Sequence, residues 1–202
     1  WEYPKQQMNN KQITFNDESF KLNDIYDLIL LPLPKYQLDV YNSYIEHLFK
    51  TKGEKAADEL GLRFDPYIVE MLGRLNYRTS YGQNILEHSI EVSKIAGIIA
   101  DRLGVDIELA KRGGVLHDVG KAIDFVQEGS HDDLGAEICR KYGESAEVIN
   151  CIMAHHEDEE PETVEAVIVK VADALSSARP GARKESVELY LKRLANLEKI
   201  AM

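Results

Sequence analysis

From Lys52 onward, apolar residues recur at helical spacing almost without interruption, whereas residues 1–35 keep no sustained period. That early stretch is rich in Asn, Asp and Gln and carries Pro4, Pro32 and Pro34. Within it, Ile13–Phe15 and Ile25–Leu31 fit short strands or a short helix equally well. Tyr41, Tyr44, Ile45 and Leu48 share one helical face and predict a helix over about 35–50. Ile85, Val92, Ile95 and Ile99 predict another over about 83–103, stopped by Gly104. Asp106 is placed to cap the next helix, which runs to about Leu116 with Gly120 just past its end. Ser130 with Asp133 has the form of a capping box, and Leu134, Ile138 and Tyr142 follow at four-residue steps until Gly143. Ser145 opens a helix whose inner stripe is Val148, Ile149, Ile152 and Met153.

Pro161 suits the first turn of a helix over about 162–178, apolar nearly all round (Ala166, Val167, Ile168, Val169, Val171, Ala172, Ala174, Leu175). That pattern predicts burial at the centre of the fold. Pro180–Gly181 breaks it, and Val187, Leu191, Leu194 and Leu197 mark a final amphipathic helix. The chain therefore reads as all-α: a helical bundle over 51–202 preceded by an irregular segment over 1–50.

Composition narrows the class. Of 202 residues, 44% are hydrophobic, enough to bury a core. A net charge of -11 argues against a broad basic footprint for duplex nucleic acid, though a local basic groove remains compatible with it. Cys139 and Cys151 both lie in helical segments and read as buried reduced thiols. No apolar run is long enough to span a membrane, since Asp27 and Pro32 break Ile25–Leu33, and no secretion signal is visible. A cytoplasmic protein is expected. The start at Trp1 is consistent with a fragment that has lost an N-terminal anchor.

The histidines change the picture most. Five of the six (His88, His117, His131, His155, His156) fall in the central part of the chain. His88 shares the stripe of Ile85, Val92 and Ile95, and His131 that of Leu134 and Ile138, so both point inward. One such residue is an ordinary hydrogen-bonded core histidine; several on neighbouring helices need a common reason. His117–Asp118 and His155–His156 each end a helix, where a loosened last turn can aim adjacent side chains at one point. Asp173 lies inside the apolar helix, either paired with Lys170 at an exposed edge or drawn to the same point as the histidines.

Imidazole and carboxylate together suit Mn, Fe, Zn or Mg. The set exceeds what one closed tetrahedral site needs, so it predicts two adjacent metals or one metal with open positions. Lys121 is either a point charge for a phosphate oxygen or a solvated lysine near a helix C-terminus.

His117-Asp118-Val119-Gly120-Lys121, with a histidine about thirty residues earlier and a late aspartate, resembles the signature of the HD superfamily of metal-dependent phosphohydrolases. Three longer stretches, LGRLNYRTSYGQNILEHSIEVSKIAG, AKRGGVLHDVGKAIDFVQEGSH and VADALSSARPGARKESVELYLKRL, resemble the catalytic domains of the ribonuclease Y family, bacterial endoribonucleases. The likeness covers residues 53–202. It implies that His117 and Asp118 are central ligands and that His88 and Asp173 complete a first metal site. His131 with one or both of His155 and His156 would form a second, with Asp118 bridging and a metal-activated water attacking RNA. Of these, His156 is the least secure, because adjacent histidines need not both reach the metals.

In that family a membrane anchor, a coiled coil and a KH domain precede the catalytic part, and Trp1–Lys50 resembles none of them. Arg179 and Arg183, flanking the Pro180–Gly181 turn, are candidates for gripping a phosphate backbone, or equally for capping helix ends. Arg112, Arg140, Lys141 and Lys184 supply further charge near the site. Tyr77, Arg78 and Tyr81 suit either base stacking or a helix junction, and His47 reads as surface. Two other functions fit the same residues: hydrolysis of cyclic dinucleotides or small nucleotides, and a non-catalytic, metal-stabilised homodimerisation module.

Overall fold

The fold was obtained as a computed structural model, which describes residues 12–15, 18–21, 35–156 and 159–179. It is all-α apart from two small hairpins. A first hairpin pairs β1 (Gln12–Phe15) with β2 (Glu18–Lys21) in antiparallel register, so the strand reading of Ile13–Phe15 holds. Ile25–Leu31 and the amphipathic helix expected around Val187–Leu197 lie outside the described residues. Helix α1 (Lys35–Leu60) continues ten residues beyond the expected end at Lys50. The chain divides into two compact units between Ile45 and Glu46, and every candidate ligand belongs to the second.

Helix α2 (Pro66–Leu75) starts where the Asp65 carboxylate accepts from the Tyr67 amide. A short hairpin of β3 (Thr79–Ser80) and β4 (Gln83–Asn84) then turns through Tyr81 and Gly82, both at positive φ, as a tight two-residue turn requires. Asn84 caps α3 (Ile85–Leu103), and Gly104 ends it in the left-handed conformation at φ 70°. Asp106 caps α4 (Ile107–Leu116), which passes through His117 and Asp118 into a 3-10 turn, Val119–Ala122. Ser130 caps α5 (His131–Lys141), and its hydroxyl also bonds Asp133, completing the capping box. Ser145 caps α6 (Ala146–Met153). Helix α7 (Val164–Ala178) begins with Thr163 as its cap, so Pro161 precedes the helix rather than occupying its first turn.

Two expectations about packing need correction. Helix α7 is buried on one face only, through Ala166, Ile168, Val169 and Ala172, while Val164, Val167, Val171 and Leu175 stay exposed. Its all-round apolarity therefore does not mark a central helix. That position belongs to α3, which packs along both α4 and α7. The tightest stripe of α3 is made of small residues (Ser89, Ser93, Ala96, Gly97, Ala100), with Ile95 and Ile99 only half buried. A Cβ on Gly114 would stand 2.8 Å from the Ser93 Cα, and one on Gly97 would stand 2.8 Å from the Lys111 side chain. Ser93 Oγ donates to the Lys111 carbonyl at 2.8 Å across this contact. Small residues let the two helix backbones approach, which places His88 of α3 beside His117.

The 3-10 turn meets α5 as closely. A Cβ on Gly120 would lie 1.9 Å from the His131 carbonyl oxygen and 2.7 Å from the Gly135 amide nitrogen. Neither is the movable end of a side chain. Gly120→Ala should therefore lower stability by about 3 kcal/mol, the upper end for overpacking. A urea midpoint unchanged from the parent would contradict this reading of the contact.

Candidate metal centre

The end of α4 shows how adjacent residues come to face one point. His117 keeps helical dihedrals (φ -52°, ψ -37°), but Asp118 moves to φ -102°, ψ 10° as the chain tightens into the 3-10 turn. His117 Nε2 and Asp118 Oδ2 end 3.5 Å apart, both side chains nearly inaccessible to solvent. The end of α6 does the same for His155 and His156, whose rings lie 4.0 Å apart between centroids. His131 arrives as the first residue of α5 and Asp173 from the middle of α7.

All seven residues expected as ligands converge. His88 Nε2 lies 3.0 Å and His117 Nε2 4.0 Å from Asp173 Oδ1. On the other side of Asp118, its Oδ1 lies 3.6 Å from His131 Nε2 and 3.7 Å from His155 Nε2. His131 and His156 bring their Nε2 atoms within 3.1 Å of each other, so His156 lies beside the other expected ligands. Asp173 does not pair with Lys170, which donates instead to the His156 carbonyl. Three overlapping groups have ligand atoms close enough to share an ion: His88, His117 and Asp173; His117, Asp118 and His155; and His131, Asp132, His155 and His156.

The hydrogen bonds around the rings decide which nitrogen faces inward. His117 Nδ1 bonds the Gly114 carbonyl at 2.8 Å and His155 Nδ1 the Ile152 carbonyl at 2.6 Å. A carbonyl can only accept, so each Nδ1 carries the proton and, in the neutral ring, each Nε2 presents a lone pair. His88 is fixed through a longer relay. Its Nδ1 stands 2.9 Å from Ser176 Oγ, which donates to Glu91 Oε2 at 2.7 Å, and Glu91 is held by Arg179 Nε at 2.7 Å. Burial keeps His117 below the usual imidazole range and takes His155 down to about 3, so both rings are neutral at physiological pH. Burial alone would raise the Asp118 and Asp173 carboxyls. In the acid range where these carboxyls titrate and His117 is protonated, the charges of His117 and Lys121 on Asp118, and the bond from His88 with the charge of His117 on Asp173, more than reverse that.

A metal fits this donor set. His155 Nε2, Asp118 Oδ1 and Asp132 Oδ1 are buried without any hydrogen bond, and each is a ligand atom of the cluster. A neutral ring nitrogen and carboxylate oxygens facing one another in a desolvated space repel unless a cation lies between them. Lys121 supplies part of that charge, donating to Asp118 Oδ2 at 2.8 Å and lying 2.7 Å from Oδ1. Its ammonium also lines the cleft that opens over the cluster, with Ser80 and Gln83 of the β3–β4 hairpin.

The remaining candidates divide. Arg179 is half exposed and engaged with Glu91, and Arg183 lies outside the described residues. Arg112 is turned away from the site, bonded to Glu144 and the Arg63 carbonyl and stacked over Phe64. Tyr77 packs edge-on against Phe49, and Arg78 pairs with Asp124 and covers Phe125, so these two belong to a junction. Tyr81 is exposed at the hairpin tip, and His47 is exposed as expected. Cys139 and Cys151 are free and buried, their thiols pushed up to about 12 by burial, which makes them inert. Sequence reasoning missed Asp132, which looked like an ordinary acidic residue in the first turn of a helix, and the Glu91–Ser176 relay, whose parts are far apart in the chain. Among the described residues no helix is long and apolar enough to cross a membrane.

Residues 85–178 match the family model described as HD domain. Ribonuclease Y of Thermosipho melanesiensis is 60% identical over 158 residues, 78% of this chain but 31% of that protein. Ribonuclease Y of Desulforamulus reducens is 56% identical over 158 residues, with the same shares. The chain thus spans under a third of the length of the curated relatives it matches. A crystal structure of a predicted HD superfamily hydrolase from an uncultured Thermotogales bacterium aligns with a TM-score of 0.47 and 20% identity, over 67% of this chain and 90% of that one.

The relay behind His88 generates a test. Ser176→Ala removes the group that fixes the ring's tautomer and should weaken metal binding about 10- to 100-fold with far-UV circular dichroism unchanged. Equal affinity in chelator competition would show that the relay does not orient a ligand.

Proposed function

The chain carries an HD domain over residues 85–178, and on that footing we propose that it is a metal-dependent phosphodiesterase that hydrolyses RNA. The observation that carries the reading is the position of Asp118. Its two oxygens face separate ligand groups, Oδ2 toward His117 and Oδ1 toward His131 and His155. A carboxylate so placed is suited to bridge two ions. His88, His117 and Asp173 would hold one, His131, His155 and His156 the other; Mn, Fe or Zn suits the donors best, with Mg as an alternative. Divalent cations held there would supply an activated water and offset charge on a phosphodiester oxygen.

The chain's own groups supply the rest. The carbonyls of Gly114 and Ile152 hold protons on the Nδ1 atoms of His117 and His155 and keep their Nε2 atoms free for coordination. Lys121, which lines the cleft, meets a non-bridging phosphate oxygen as a point charge and turns from Asp118 to do so. Tyr81 stands at the tip of the hairpin whose Ser80 and Gln83 line the cleft, a position suited to stacking an unpaired base. Arg179, beyond its bond to Glu91, and Arg183 are proposed to grip the backbone. RNA is the preferred substrate because the ribonuclease Y relatives share more than half of their residues with this chain over its catalytic part.

One observation favours a second reading. Lys121 is the only cation among the described residues lining the cleft, which limits how many phosphates it can hold. A cyclic dinucleotide or other small nucleotide needs no more. The homodimerisation module is the weaker alternative, because every expected ligand position is filled.

With Mn²⁺ present, a short single-stranded oligoribonucleotide should be cleaved at least tenfold faster, by kcat/KM, than a cyclic dinucleotide assayed beside it; the reverse order would favour the second reading. Asp118→Asn should abolish turnover of either, a loss of about 10³-fold or more, while circular dichroism and mass stay those of the parent. Turnover within tenfold of the parent would remove Asp118 from the mechanism.

A further inference from the structure

The outer half of the cluster holds one carboxylate more than the paired-ion reading needs. Asp132 is the second residue of α5, a place where an acidic side chain ordinarily stays in solvent and favours the helix N-terminus through charge. Here that task falls to its neighbour. Asp133 completes the capping box with Ser130, its amide and carboxylate both bonded to the Ser130 hydroxyl. Asp132 turns inward and is 5% exposed.

What it meets there is unusual for a buried carboxylate. No Lys or Arg is paired with it among the described residues; the side chains around Oδ1 are imidazoles. His131 Nε2 stands 3.0 Å away and His155 Nε2 3.5 Å away. His131 Nε2 is within donor reach of both Asp132 Oδ1 and His156 Nε2, at 3.0 and 3.1 Å, and one proton there cannot serve both. His155 has no proton to offer as a neutral ring, because its Nδ1 is the nitrogen that donates, to Ile152. More acceptor atoms crowd this shared interior than the ring protons can satisfy, and they are spaced as co-ligands of one ion are. Four ligand atoms at about 2.1 Å from an ion sit about 3.4 Å from one another in a tetrahedron. The separations around this group, 3.0, 3.1 and 3.5 Å, are of that size.

We propose that Asp132 is a terminal ligand of the outer ion, closing a three-histidine, one-carboxylate site with His131, His155 and His156. The assignment rests on the two-ion reading and changes its outer half. With Asp132 in place the outer ion has four protein ligands without Asp118, and the added negative charge tightens its hold on a dication. Asp118 is then free to serve the inner ion and the cleft, while the outer ion persists when the bridge is weakened.

Metal binding tests this apart from catalysis. The apo-chain and two variants are dialysed against buffered Zn²⁺ and, separately, loaded with Co²⁺ for absorption spectroscopy. The parent should bind two Zn²⁺. Asp132→Asn, equal in size but a poor ligand, should keep the inner ion and lose about 100-fold in affinity for the outer one, with circular dichroism unchanged. Asp132→Cys covers the case in which that variant misfolds. If residue 132 touches the ion, the Co²⁺ form of this variant gains a near-ultraviolet sulfur-to-cobalt charge-transfer band. The parent lacks such a band, since Cys139 and Cys151 belong to no ligand group. Absence of the band, or an Asp132→Asn protein that holds both ions as tightly as the parent, overturns the assignment and leaves the paired-ion reading standing. A parent that takes up no ion at all overturns both.

Discussion

Ligand atoms that face one another inside a protein carry a cost that only a cation removes. His155 Nε2 and the inward oxygens of Asp118 and Asp132 are buried without a well-aligned hydrogen bond, and Lys121 offsets only part of the charge on Asp118. An unpaired buried polar group costs about 1–3 kcal/mol, and a charged one more. The fold accepts that cost at several neighbouring atoms, as a site built to hold a cation does. The rest of the unit can be understood as the framework that keeps these atoms together.

The framework works through absent side chains as much as present ones. Gly114 against Ser93 draws α4 onto α3, and Gly120 against the His131 carbonyl draws the 3-10 turn onto α5. Each contact sits within a few residues of a ligand, so backbone approach becomes ligand approach. The change from α-helix to 3-10 turn at Asp118 then directs two adjacent side chains to one place. Peptide carbonyls complete the design. The carbonyls three residues before His117 and His155 fix the ring protons, which an unwound helix end leaves available for that purpose.

Much of this was legible in the sequence. The caps at Asp106, Ser130 and Ser145 and the stops at Gly104 and Gly143 place four helices within a residue or two of their ends. The inward histidines were readable because His88 and His131 share the period of apolar neighbours. Asp132 was not. A helix first turn is rich in exposed acids, and nothing in the local pattern shows that Asp133 has taken the capping role and left Asp132 free to turn inward. The misreading of α7 has a related cause. Hydrophobicity reports which residues tolerate burial, whereas burial is decided by which face meets a neighbour, and the small residues of α3 claimed the centre instead. The length of α1 escaped because Lys50–Lys55 breaks the apolar rhythm without breaking the helix.

Anomalous diffraction from crystals of the chain grown with Mn²⁺ addresses the central claim most directly, since it locates ions without reference to activity. Two anomalous peaks should stand about 3.5–4 Å apart, one among His88, His117 and Asp173, the other among His131, His155 and His156, with Asp118 between them. A single peak, or peaks only at surface carboxylates with these imidazoles unliganded, would contradict the paired-ion centre.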